Sequence, residues 1–303
     1  MAYRIRPSEP FTQEFRRVAE NQLSRAIDLL EQQPDGQHKA IHDSRKRFKR
    51  LRALYRLIEP DAKAFRATEN ARLRDIAHSL STARDATALI ETVEYLVGGA
   101  SSAEEIAALT DASNALIERR DRIVAAETDL DDRIAAAVTA CCEAIAALAT
   151  LKVSDGARKT ARRLAKAWRK QRRAAAAALV VCHEHGDADV FHDLRKCGQT
   201  YWMHLSLLTD LWPSAFAAKR DDAKQLVDLL GHEHDLSVLT HLINEEPDLF
   251  GDGDTMARLL GVVIARQQQL RAEALAAADT VFAGDMEQES DVIAILWRAA
   301  AMS

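Results

Sequence analysis

The chain has 303 residues, enough for one large domain or two of ordinary size. Hydrophobic residues make up 48% and aromatic residues 5%, a composition rich in alanine, leucine and arginine that suits packed helices better than sheets. The formal net charge of -5 means that global charge does not draw the protein to a polyanion, so any such attraction must come from cations concentrated locally.

Apolar residues recur at helical spacing through nearly every segment. The first half predicts helices over Thr12–Gln33, Gln37–Glu59, Asp61–Thr82, Asp85–Val97, Ala103–Ala126 and Leu130–Thr150. The second predicts Asp155–Val181, Ala188–Leu211, Ser214–Leu230, Asp235–Asn244, Thr255–Phe282 and Glu287–Ala300. Breakers fall between them at Pro34-Asp35-Gly36, Gly98-Gly99, Ser154-Asp155-Gly156, Gly186-Asp187, Pro213 and Pro247. Ser102 and Ser214 are the expected N-caps, the former with Glu105 three residues on. Long helices joined by short turns pack as antiparallel bundles. No apolar run is judged to approach the ~20 residues of a bilayer span. The opening ten residues have no apolar stretch, so a signal peptide is not expected. Cys141, Cys142, Cys182 and Cys197 lack metal-site spacing and read as buried or half-buried thiols in a reducing compartment. A cytoplasmic protein that binds no membrane is expected.

The chain repeats itself. His42-Asp43-Ser44-Arg45-Lys46 recurs 150 residues later as His192-Asp193-Leu194-Arg195-Lys196, and the same offset pairs Gly36 with Gly186 and Asp85 with Asp235. This periodicity points to duplication, with function where the copies meet. One domain over 1–303 is expected, made of helical-bundle repeats 1–152 and 153–303. The boundary at Ser154-Asp155-Gly156 is too short for a flexible linker, so the halves should share an interface.

On a helix over Gln37–Glu59, His42, Arg45, Lys49, Arg52 and Arg56 fall within a sector of about 80°. Ile41, Phe48, Leu51, Leu54, Tyr55 and Ile58 form a separate apolar face, so the cations flank the packing face and should line a groove. Like charges three and four apart destabilise a helix by a few tenths of a kcal/mol per pair. A second stripe includes Arg162, Lys166 and Arg169, and the repeat supplies His192, Arg195 and Lys196. Such segregated charge makes a strong local field, and arginine's planar fork suits phosphate. Histidine can donate to a phosphate oxygen when neutral and adds charge when protonated.

These residues resemble the CHAD family, the conserved histidine α-helical domain. The resemblance rests on His42-Asp43-x-Arg45-Lys46-Arg47-Phe48-Lys49-Arg50-Leu51-Arg52, on His192-Asp193-Leu194-Arg195-Lys196 with Trp202 and His204, and on Gly231-His232-Glu233-His234-Asp235-Leu236. Ala83-Arg84-Asp85-Ala86 is the first-half counterpart of the last element. It implies an all-α fold of two antiparallel four-helix bundles with pseudo-two-fold symmetry around a basic pore or groove. It also implies binding of inorganic polyphosphate, often at polyphosphate granules and with their associated proteins. The expected contacts are His42, Arg45, Lys46, Lys49, Arg52, Arg56, Arg162, Lys166, Arg169, His192, Arg195 and Lys196. Where the first copy has Lys49, Arg50 and Arg52, the second has Gln199, Thr200 and Trp202, so an asymmetric site is expected, with Asp155–Val181 supplying the missing charge.

Three rival readings compete. His42-Asp43, His192-Asp193 and His234-Asp235 suggest a metal phosphohydrolase, but adjacent helical residues point about 100° apart. No Gly-rich phosphate loop or nucleophile motif accompanies them, so neither catalysis nor a cofactor is expected. Nucleic-acid binding lacks a recognisable reader module or aromatic platform. A granule-surface scaffold differs from polyphosphate binding mainly in whether the purified protein binds the polyanion unaided.

Overall fold

A computed structural model describes residues 3–302, and the described residues are all-α with no strand. The helices are α1 (Phe11–Gln32), α2 (Gln37–Arg56), α3 (Lys63–Ser79), α4 (Thr82–Val97), α5 (Ala103–Ala126), α6 (Leu130–Ala147), α7 (Ala157–Glu184), α8 (Ala188–Leu207), α9 (Pro213–Glu245), α10 (Gly253–Val281) and α11 (Met286–Ala300). At an offset of 150 residues, α1 aligns with α7, α2 with α8, α5 with α10, and α3 plus α4 with the single helix α9.

Three four-helix groupings emerge from which helices touch. In the first, α1 packs on α2, α2 on α3, α3 on α6 and α6 back on α1. In the second, α8 joins α7 to the first part of α9 while α11 covers α7. These two share one continuous core that includes Phe15, Leu54 and Tyr55 of the first half and Trp168, Tyr201 and Leu226 of the second. The third is built across the halves, with Val93 of α4, Leu109 of α5, Leu239 of α9 and Val263 of α10 in one separate core. The packing units therefore cross the Ser154-Asp155-Gly156 boundary. Direct ties also cross it: Ile5 N–H donates to the Leu207 carbonyl at 2.8 Å, and the buried His204 imidazole meets the Ala53 carbonyl at 2.9 Å.

The residues predicted to face inward along α2 do so, with Ile41, Phe48, Leu51, Leu54 and Tyr55 all buried. Fully burying a side chain of this size contributes about 2 kcal/mol, enough to hold a helix with repelling cations beside its packing face. Gly36 precedes α2 at φ +88°, a left-handed conformation that glycine adopts without strain. Ser102 caps α5 as expected, accepting from Glu105 N–H at 3.1 Å, and Glu105 reaches back to Ser101 N–H at 2.7 Å. Ser214 does not cap: α9 begins one residue earlier, at Pro213.

Two corrections concern helices. Ser214–Leu230 and Asp235–Asn244 are parts of one helix, α9, with Gly231 in its interior. A mid-helix glycine costs roughly 1 kcal/mol, and the buried Leu226, Leu230, Leu236 and Leu239 on either side outweigh it. The segment Leu130–Thr150, containing α6, has a mean hydropathy of 1.5 and the length of a membrane span, contrary to the expectation that no run comes near. Its apolarity has a use in this fold: Ile134, Ala137, Cys141 and Ala144 are buried, on a helix that packs on α1 and α3. All four cysteines are free, and Cys142 is exposed, not half-buried, because it falls on the outer face of α6.

Candidate functional site

One side of α4 along most of its length, the middle of α9 and the facing sides of α2 and α8 enclose a groove of about 370 Å³. His42, Arg45 and Lys49 enter from α2, Arg195 from α8, Arg84 and Asp85 from α4, and His232, His234 and Asp235 from α9. Cations from both halves of the chain thus open onto one concavity, because α2 packs directly on α8. The 150-residue pairing of Asp85 with Asp235 is also realised here, one carboxylate from each copy.

Lys49 and Arg195 are the distinctive pair, since neither has a carboxylate ion-pair partner among the described residues. Burial comes first in pushing the Lys49 ammonium down to about 8, followed by repulsion from Arg195 and Arg45. Lys49 is nevertheless exposed at its surface, as expected for a group ringed by protein at the foot of an open groove. Burial also lowers Arg195, with Asp235 and Glu233 opposing it. Further along α2, burial and then the neighbouring cations lower Arg52 and Arg56; Arg52 faces Arg56, Arg66 and Arg74, and Arg56 faces Arg66. Arg52 donates to Asn70 Oδ1 at 2.9 Å, a neutral partner. The stripe is therefore a run of mutually repelling cations that the fold holds in place.

Arg45 is partly engaged, donating to the Ala77 carbonyl at 2.7 Å and lying 3.5 Å from Asp85. His42 accepts at Nδ1 from Arg84 Nε at 2.8 Å, which places its own proton on Nε2. Burial, then the charges of Arg84 and Lys46, hold His42 down to about 4, so it is neutral near pH 7 and able to donate one hydrogen bond. His192 stacks on His234 with ring centroids 4.5 Å apart. Burial lowers His192, and burial followed by Arg195 pushes His234 down to about 3. The two histidine heads therefore bracket one region, His42 directly and His192 through His234.

Lys46 and Lys196 stand apart from the groove. Each is exposed and pairs with the aspartate of its own His-Asp dipeptide, Lys46 with Asp43 at 3.0 Å and Lys196 with Asp193 at 2.6 Å. The stripe on α7 does not supply the groove with charge. Arg169 pairs with Glu287 at 2.5 Å and donates to Ser290, while Arg162 and Lys166 open onto two separate clefts, one just past the C-terminal end of α2 and one between α7 and α11. Gln199 and Trp202 are half-buried on α8 and neither lines the groove, although Lys224 Nζ sits 5.9 Å from the Trp202 ring.

Helix reasoning missed Glu91, Thr92 and Tyr95, which complete the α4 wall. Tyr95 stacks on His232 at 4.2 Å between ring centroids, and His232 and His234, although two residues apart on one helix, both reach the groove. His232, His234 and Asp235 of α9 thus form a further wall of the groove, a role that the resemblance motif marked and helical spacing alone did not, while Glu233 between them is buried against Arg271.

No curated protein matches the chain. A crystal structure of the CHAD domain from the plant Ricinus communis matches with a TM-score of 0.56 at 16% identity, covering 94% of each chain. At that identity the likeness concerns the fold. The family model for the CHAD domain matches residues 17–244, which include α2, α4, α8 and all of the groove-lining residues of α9. With its helical order and its histidine-headed, basic α2 and α8, the chain belongs to the CHAD domain family.

Proposed function

We propose that the groove binds inorganic polyphosphate without chemical turnover, and that the protein acts in the cytoplasm, at polyphosphate granules and beside granule-associated proteins. The observation that carries this reading is the pairing of Lys49 with Arg195: cations from opposite halves that line one groove, neither with an ion-pair partner among the described residues, with Arg195 close enough to depress Lys49. A group of this kind costs stability in the free protein and is relieved by an arriving anion. Lys49, Arg52 and Arg56 extend the field along roughly 10 Å of helix, which suits a linear anion with charge at every repeat. The neutral His42 adds a donor at one end through Nε2.

Nucleic acid fits less well. Base stacking needs an open aromatic face, and Tyr95, the aromatic ring among the groove-lining residues, already stacks on His232. The test is calorimetry with long-chain polyphosphate, single-stranded DNA and orthophosphate at two ionic strengths. Polyphosphate should bind far more tightly than orthophosphate, because later contacts are intramolecular, and its affinity should fall steeply with salt. Equal affinity for DNA, or salt-independent binding, would overturn the reading.

A further inference from the structure

The cations of α7 divide into two sets. In the C-terminal part, Arg169 and Arg173 pair with Glu287, Lys170 with Glu59 and Arg172 with Glu289. In the N-terminal part, Arg158, Lys159, Arg162 and Lys166 are exposed and have no ion pair among the described residues. Arg162 and Lys166 form the ridge between two clefts. One, of about 620 Å³, also takes Lys152 and Lys159; the other, of about 490 Å³, takes Arg158 and Arg298. The floor of the larger cleft is basic too. Buried Arg163 donates to Asp61 at 2.7 Å and to the Ser154 carbonyl at 2.6 Å, which ties up the one carboxylate among the lining residues.

This arrangement is not a by-product of the repeat. At the 150-residue offset, Lys159, Arg162 and Lys166 correspond to Glu9, Thr12 and Arg16. Repelling cations at i and i+4 cost a few tenths of a kcal/mol per pair, and among the described residues no ion pair offsets Arg162 or Lys166, although the chain has a net charge of -5. The ridge is also separate from the groove. The lining of the groove shares no residue with that of either cleft, and Glu59, three residues past Arg56, is held by Lys170 at 3.0 Å and Arg66 at 3.8 Å.

We propose that the Lys159-Arg162-Lys166 face of α7 is a second polyphosphate subsite, and that one long chain passes from the α2–α8 groove, around Glu59, onto this face. Pro60 and Asp61 put the larger cleft at the C-terminal end of α2, where the groove's cation row ends. A single phosphate meets only one or two cations spaced about 6 Å along a helix, whereas a flexible linear chain meets them in turn. The identity of the ligand rests on the reading of the groove; the existence of the anion site does not.

The experiment is calorimetry on the full chain with tripolyphosphate and with long-chain polyphosphate at low ionic strength. The wild type should take two tripolyphosphates per chain, and Lys159→Gln/Arg162→Gln/Lys166→Gln should take one. The same triple variant should lose on the order of 100-fold in affinity for long chains, the scale of a lost intramolecular contact. These side chains are exposed, and an unchanged melting temperature checks that the fold is kept. Wild-type stoichiometry and long-chain affinity in the triple variant would overturn the second subsite. If instead Lys49→Met/Arg195→Gln leaves tripolyphosphate binding unaltered while the triple variant abolishes it, the groove reading fails and the α7 site stands alone.

Discussion

Lys49→Met should strengthen the free protein while weakening its hold on polyphosphate. Methionine keeps the length of the stem and removes the ammonium that Arg195 and Arg45 repel. A shift from 10.5 to about 8 corresponds to roughly 3 kcal/mol for a group sealed from water. Lys49 opens onto solvent, and screening reduces the expected relief to about 1 kcal/mol. In a chain of this size that raises the melting temperature by about 2 °C. Binding moves the other way, since a charge-assisted contact is worth about 2 kcal/mol, or some 30-fold in affinity. The slope of log affinity against log salt should fall by about 0.7, one cation's share, by analogy with single-stranded nucleic acids. The pH dependence follows from the same group. Free Lys49 sheds its proton near 8, and a bound polyanion restores it, so wild-type affinity should decline by up to tenfold per pH unit above about 8. The variant should lack that decline. Scanning calorimetry and titration of the two proteins check both signs. A lower melting temperature together with unchanged affinity would refute the argument that Lys49 is held at a cost for an anion.

Three further outcomes concern stability. His42 and His204 are held to about 4 and His234 to about 3, each chiefly by burial, against 6.5 when unfolded. The unfolded chain therefore binds more protons below pH 6.5, and urea midpoints should fall steadily from pH 6.5 to 4, with His204→Gln flattening the profile. Gly231→Ala should stabilise by about 0.5–1 kcal/mol, because an added methyl meets nothing within 4 Å and the helix is continuous there; a loss in urea unfolding would place a break at that position. Arg163→Met should cost about 3 kcal/mol in the same assay, since it strips the buried guanidinium from Asp61 and from the Ser154 carbonyl; a neutral result would remove Arg163 as the tie between α7 and the end of α2.

Much of this molecule is written locally. Helical periodicity and the 150-residue echo suffice for an all-α chain, for the inward face of α2 and for the cation stripe beside it. They depend on spacing along one helix, which the chain itself dictates. The continuity of α9 is different: the helical pattern is interrupted at Gly231, and only the burial of the α9 leucines on either side of it, against other helices, keeps the turn closed. Partner choice is likewise beyond local reach. Arg162 and Arg169 share one stripe on α7, yet Glu287 and Asp291 of α11 pair with Arg169 while Arg162 has no ion pair among the described residues, because α11 brings Ala294 and Arg298 to the cleft beside it. The pairing of Lys49 with Arg195 needs α2 and α8 to be brought side by side, and α4 and α9 to close the groove around them. Sequence therefore determined which helices carry charge and on which face; tertiary packing decided which charges meet carboxylates and which are left to meet a ligand, because electrostatic interaction depends on distances between helices that no single helix encodes.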